Sequence, residues 1–270
     1  MEKTFEKNNF SKRLKSMLSV DIKRLFISPF FYIMVGISLA VPILILVMTT
    51  MMDGSVSVNP QTGQETVMQG FDYVWQILGS VSSSGSSEQA MSMDLVSMCN
   101  INMMFFAIAI LVCVFVCDDF RSGYAKNLFT VRSKKSDYVI SKSIVGFIGA
   151  ATMFIAFFIG AVIGGGVAGL PFGTSGISAT NVLCCMLSKI LLAPVFVSIF
   201  TLMSVIAKQK SWLSICLSLG VGMLLFMMIP SFTPLNATVM NVFICLLSGI
   251  VFAVGLGLIS NVILKKTSLI

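Results

Sequence analysis

Lys189 carries the only charged side chain inside the long apolar runs of this 270-residue chain. An ionisable group at membrane depth is by default a functional residue. It lies about 7 residues from the outer end of its run, roughly 10 Å at 1.5 Å per residue. A lysine stem can snorkel that far. Two roles therefore stand for Lys189: lining a translocation path, or snorkelling to the outer interface. The rest of the chemistry is defined by what is missing. The chain has no histidine, which removes His-based metal sites, triads and proton shuttles. No carboxylate lies in the middle of an apolar run, and Asp94, Asp118 and Asp119 stand at run ends. That disfavours an ion-coupled carrier. No G-x-x-x-x-G-K-[ST] occurs, so the chain has no P-loop to cradle ATP phosphates, and uphill transport would need energy from another polypeptide. The seven cysteines, Cys99, Cys113, Cys117, Cys184, Cys185, Cys216 and Cys245, lie within or at the ends of the runs. They read as small apolar side chains, with no disulfide framework and no metal site.

The elements that must position these groups are six apolar runs, near 30–52, 95–117, 143–169, 182–207, 212–230 and 239–264. Each is near or above the ~20 residues that a membrane-spanning helix needs. Hydrophobic residues make up 56% of the chain and charged residues 11%, against about 25% charged in a soluble domain. The expected fold is all-α and polytopic, a single transmembrane domain over 1–270. Lys and Arg gather before the first run, between the second and third, between the fourth and fifth, and after the sixth. The segments 53–94, 170–181 and 231–238 hold none. The positive-inside rule then gives six spans with both termini in the cytoplasm. The formal charge of +7 is explained by topology and anionic lipid, not by nucleic acid. The first run reads as a retained span and not as a cleaved signal peptide, because its charged leader is long and no A-x-A-like site follows.

Residues 8–28 read as an amphipathic interfacial helix. Phe10, Leu14, Met17, Leu18, Ile22 and Leu25 share one face, and Lys12, Lys15, Lys23 and Arg24 lie around the other, which suits a helix flat on the inner leaflet. Segment 53–94 reads as a long, acidic extracellular loop. Within it Phe71, Val74, Trp75 and Leu78 recur at i, i+3, i+4, i+7. That spacing predicts a short helix on the outer surface or capping the spans. The segment is either a passive tether or a lid or contact for an amphiphilic substrate, with Phe71 and Trp75 as the candidate residues. In the third run Gly160 and Gly164, and Gly165 and Gly169, form small-xxx-small pairs that permit close packing. Pro42 and Pro194 are expected to kink their spans.

The inner loop 118–142 reads DDFRSGYAKNLFTVRSKKSDYVISK. Phe120, Tyr124 and Leu128 recur every four residues and predict one apolar stripe on a short helix. Gly123 permits close approach of another backbone. An apolar stripe on a cytoplasmic loop either docks a partner or rests on the ends of its own spans.

At this loop the chain resembles the type-2 ABC transporter permeases of bacteria. In that family an acidic residue ends the second span, and a short helix of the type F-R-x-G-x-x-K-N-x-L follows. A stretch of the type S-[RK]-x-x-Y-x-x-[SG]-K then enters the third span. The matching residues are Asp119, Phe120, Arg121, Gly123, Lys126, Asn127 and Leu128, continued by Ser136, Tyr138, Ser141 and Lys142. Many members have Glu at the end of the second span, where this chain has Asp118 and Asp119. The resemblance leans towards permeases of bacteriocin or peptide-antibiotic immunity systems. It implies a subunit of the bacterial cytoplasmic membrane without an ATPase site of its own. Two permease subunits, identical or related, would form the path of an exporter. Each would rest on a separate ATP-binding subunit that holds ATP and Mg²⁺. The loop helix, with Asp119, Phe120, Arg121, Gly123, Tyr124, Lys126, Asn127 and Leu128, would be the coupling helix. The alternative is a non-transporting scaffold or signalling anchor that docks another partner through the same loop.

Overall fold

The computed structural model describes residues 2–51, 56–58, 65–67, 71–79, 100–131, 135–172, 178–226 and 228–266. Helix α1 (Glu2–Ile27) is followed after Ser28 by α2 (Pro29–Met51). Pro29 stops the first and opens the second, because it has no N–H to give and its φ is already helical. A short antiparallel hairpin, β1 (Val56–Val58) with β2 (Glu65–Val67), and the helix α3 (Asp72–Leu78) come next. A 3₁₀ turn at Ile101–Met103 leads into α4 (Met104–Arg121). The short α5 (Tyr124–Val131) precedes three elements of the bundle, α6 (Ser136–Val167), α7 (Ala179–Ala207) and α8 (Ser211–Phe226). The one-turn α9 (Ile229–Phe232) and the long α10 (Val239–Lys266) complete the chain.

Five stretches are helical, long and apolar enough to cross a membrane: Pro29–Met51, Ile101–Arg121, Ser136–Val167, Ala179–Ala207 and Val239–Lys265. The fifth of the six expected spans, 212–230, is shorter than its apolar run. Helix α8 ends at Phe226 after 16 residues, about 24 Å at the α-helical rise. Pro230, in the first turn of α9, breaks the continuity because it cannot donate to a preceding turn. The described part of the second span opens on the 3₁₀ turn at Ile101. The Asn100 side chain accepts from the Asn102 amide at 3.0 Å and so caps the 3₁₀ turn. Residues 95–99 lie outside the described residues. Helix α6 begins seven residues before its apolar run, and that polar extension carries buried Asp137, Tyr138, Ser141 and Lys142.

Helices α6 and α7 are central. α2 packs along α6, α10 along α7, and α4 touches both central helices together with α8. In the apolar window of α7, 67% is buried, against 11% in that of α10, so α10 is a flank of the bundle. Backbones meet where glycine leaves room. A Cβ on Gly160 would strike the Leu39 carbonyl oxygen of α2, and one on Gly164 would lie 2.9 Å from the Ile43 Cα. The second glycine pair does something else. Gly165 makes room for Val74 and Phe71, while Gly169, at φ +71°, ends α6, with the Leu170 amide donating to the Gly165 carbonyl at 3.1 Å.

Gly160→Leu is therefore expected to force α2 off α6, with an overpacking cost of about 1–3 kcal/mol or more because backbone must move. At exposed Gly166 an added Cβ meets nothing within 4 Å, so Gly166→Leu serves as the control. Thermal stability in detergent, read by gel filtration after heating, should fall for the first and not for the second.

Candidate functional site

The amphipathic face of α1 contains an acid. Met17, Asp21 and Leu25 are spaced i, i+4, i+8 and are all buried, so Asp21 sits in the middle of the stripe that contacts α6. Its carboxylate accepts from Ser141 Oγ at 2.6 Å and Lys142 Nζ at 2.9 Å. Lys142 Nζ also lies 2.7 Å from Asp119 Oδ2, and the Tyr138 hydroxyl donates to the same oxygen at 3.1 Å. Arg24 Nη1 approaches Asp119 Oδ1 to 2.7 Å and Asp21 Oδ1 to 4.0 Å. The Arg24–Asp119 contact is a close, charge-assisted pair. Nearer the N-terminus of α1, Arg13 Nε donates to Asp137 Oδ2 at 3.1 Å. The helix thus does not simply lie on a membrane with its basic residues outward. Lys12, Lys15 and Lys23 are exposed, but Arg13 and Arg24 turn inward to acids on α6 and α4.

Asp21, Arg24, Asp119 and Lys142 form a joint of two acids and two bases. It ties α1, the end of α4 and the start of α6 together. Asp21, Asp119 and Lys142 are fully buried. Isolated charges in such a place would be strongly penalised, and mutual pairing with hydrogen bonds to Ser141 and Tyr138 offsets that penalty. Burial opposes the charge on Arg24, but the neighbouring Asp119 carboxylate outweighs it and raises its pKa.

The short α5 rests on this joint. Ser122 and Gly123 end α4, and Gly123 turns the chain at φ +76°, a conformation that suits glycine. That turn separates Phe120 from Tyr124 and Leu128, so the three do not form one stripe on one helix. Phe120 is buried in the last turn of α4, with its ring 6.1 Å from that of Tyr138. Tyr124 lies under the Arg24 guanidinium, 4.2 Å from ring centroid to Cζ. Burial pushes the Tyr124 phenol up, Asp21 adds to the rise, and Arg24 opposes it, so the ring stays neutral. Leu128 packs on the core and Ala125 is buried. The apolar side of α5 therefore rests on the chain's own helices. Its outer side shows Lys126, Asn127 and Thr130, next to Arg121 and Ser122 at the end of α4. A further tie comes from Lys135, whose ammonium donates to the Leu264 carbonyl in the last turns of α10 at 2.8 Å and stands 5.6 Å from the Phe129 ring centroid.

Lys189 lies at the other end of the bundle and is completely buried. Its ammonium donates to Asn102 Oδ1 at 2.7 Å, Thr233 Oγ1 at 2.9 Å and the Thr233 carbonyl at 3.4 Å. All three of its donors are used. It neither snorkels to an interface nor lines an open path; it joins α7 to the turn before α4 and the end of α9. Phe71 and Trp75 are likewise buried. Phe71 packs at a tilt against Trp75, with ring centroids 5.4 Å apart, and against Phe172, 4.9 Å apart, and α3 caps α6 and α2. The Phe71 and Trp75 rings are committed to the fold in this state. Among the described residues no group of three or more acidic or cysteine side chains comes together to hold a metal.

Residues 22–224 match a family model described as an ABC-2 family transporter protein. The matched stretch begins beside Asp21 and takes in every other member of the charged joint, all of α5, and Lys189. No curated protein and no solved structure matches.

Proposed function

The chain belongs to the ABC-2 transporter permease family, and from that premise we propose that it is the membrane subunit of an ATP-driven exporter, coupled to its ATPase through residues 118–142. Family membership makes it a multi-pass membrane permease subunit of an ABC transporter, with an ABC ATP-binding partner and no ATPase site of its own. In the proposed reading α8 and α9 together complete a sixth span. Both termini and the basic end then face the cytoplasm of a bacterial plasma membrane, as the distribution of Lys and Arg requires. Two permease subunits form the path. ATP and Mg²⁺ belong to the partner, and the substrate is an amphiphilic peptide, a choice resting on the acidic outer segment 53–94.

The observation that carries this reading is the seat of α5. The helix has an outward polar side free to meet a partner, and an inward side fastened to the joint between α1, α4 and α6. A push on α5 is delivered to three helices at once, through side chains at fixed distances. In this reading Arg121, Lys126 and Asn127 touch the ATPase, whereas Phe120, Tyr124 and Leu128 transmit its movement, a division of labour that differs from docking through an apolar stripe.

The test is capture of the tagged chain in mild detergent, with partners identified by mass spectrometry. A stoichiometric P-loop protein should accompany it. Arg121→Glu combined with Lys126→Glu should reduce that partner about tenfold or more, as expected for reversing charges at an interface, while the chain remains inserted and monodisperse. Recovery of a different protein with no ATPase would overturn the exporter reading in favour of a scaffold. Undiminished ATPase recovery in the double variant would remove the docking assignment alone.

A further inference from the structure

At the elbow between α1 and α2 the surface opens into a cleft of about 360 Å³. Its walls are apolar, with Leu25, Phe30, Leu111 and Phe115 among them, and two charged residues, Arg24 and Asp118, border it. We propose that this cleft binds one phospholipid with an amine-bearing headgroup, phosphatidylethanolamine in chemical type. Its phosphate would meet Arg24, its ammonium Asp118, and an acyl chain would lie along the apolar wall. This goes beyond the transport reading and uses only the proposed orientation of the basic end towards the inner leaflet.

Three observations select this occupant. The cleft lies where an interfacial helix turns into a span, the depth at which headgroup and acyl chain meet. Its charges are of both signs. Arg24 retains donors for a phosphate, because a guanidinium has five N–H groups and its close contact with Asp119 runs through Nη1. Asp118 is exposed, in contrast to buried Asp119, and has no role in the joint. An anionic headgroup would satisfy Arg24 but be repelled by Asp118. A choline headgroup would satisfy charge but has no N–H to donate to the carboxylate. An ethanolamine ammonium does both.

The experiment is native mass spectrometry of the full chain in detergent, titrated separately with phosphatidylethanolamine, phosphatidylcholine and phosphatidylglycerol of identical acyl chains. One ethanolamine lipid should be retained, about fivefold over the choline lipid, the scale of one partly exposed ion pair. Asp118→Asn should abolish that preference while leaving retention of lipid in general. Val114→Trp, which fills the cleft from a lining position, should reduce retention of all three lipids. Both variants are first shown to be monodisperse by gel filtration. Equal retention of the three lipids by the native chain, a preference for phosphatidylglycerol, or an ethanolamine preference unchanged in Asp118→Asn would each overturn the proposal.

Discussion

Lys142→Met is expected to abolish transport and to lower the thermal midpoint of the detergent-solubilised protein by on the order of 10 °C. The figure follows from breaking a buried ion pair by removing one partner, which costs about 3–5 kcal/mol, at a few degrees per kcal/mol for a chain of this size. The lysine ammonium stands between two fully buried carboxylates, 2.9 Å from Asp21 and 2.7 Å from Asp119. Without it Asp119 retains Arg24 and the Tyr138 hydroxyl. Asp21 retains only Ser141 and a guanidinium 4.0 Å away. The penalty therefore falls on Asp21, and this gives the check its discriminating power. Asp21→Asn placed on top of Lys142→Met removes the stranded charge and should recover most of the lost stability, since neutralising both partners is far less costly than removing one. Transport should stay absent in the double variant if the joint transmits movement. Equal midpoints for the single and double variants would show that Asp21 is not held as described.

Tyr124→Ala should give a different phenotype: the ATPase still bound, transport reduced about tenfold or more. The ring is the contact between α5 and Arg24, and a cation over an aromatic face contributes about 0.5–2 kcal/mol depending on its exposure to water. Removing it leaves the outward side of α5 intact and loosens the inward side. Tyr124→Phe retains the ring under the Arg24 guanidinium and loses only the hydroxyl's own contact with Arg24, so it should keep most of the transport that Tyr124→Ala loses. Co-purification of the ATPase and substrate efflux, measured on the same preparations, separate docking from transmission. Normal efflux in Tyr124→Ala would place transmission elsewhere, with Leu128, Phe129 and Lys135 among the other connections between α5 and the bundle.

The spans were legible because apolar runs of this length have few other uses, and their central residues needed no tertiary information. Their ends were less legible. Pro230 stops an apolar run without changing its hydropathy, and Asn100 starts a helix inside one. The joint was half visible. Asp119, Ser141 and Lys142 belong to the motif that carried the resemblance, but Asp21 was hidden within a basic leader, though its spacing from Met17 and Leu25 places it on the apolar face. Its partners lie about 120 residues away, and one sequence holds no record of such a pairing. The stripe of Phe120, Tyr124 and Leu128 was misread for a local reason. A four-residue spacing has meaning only along one continuous helix, and Gly123 interrupts it. Lys189 was correctly marked as unusual, but its neutral acceptors, Asn102 and Thr233, come from distant turns that no spacing rule connects.

The joint at the basic end also has an electrical property. Asp21 and Asp119 cancel Arg24 and Lys142, and the nearby Arg13 and Asp137 cancel each other. Moving one elementary charge through 100 mV is worth about 2.3 kcal/mol, so a joint with an odd charge would feel the membrane potential on every stroke. This one carries no net gating charge. On the proposed reading, a displacement of these four side chains as a unit would therefore be insensitive to the membrane potential.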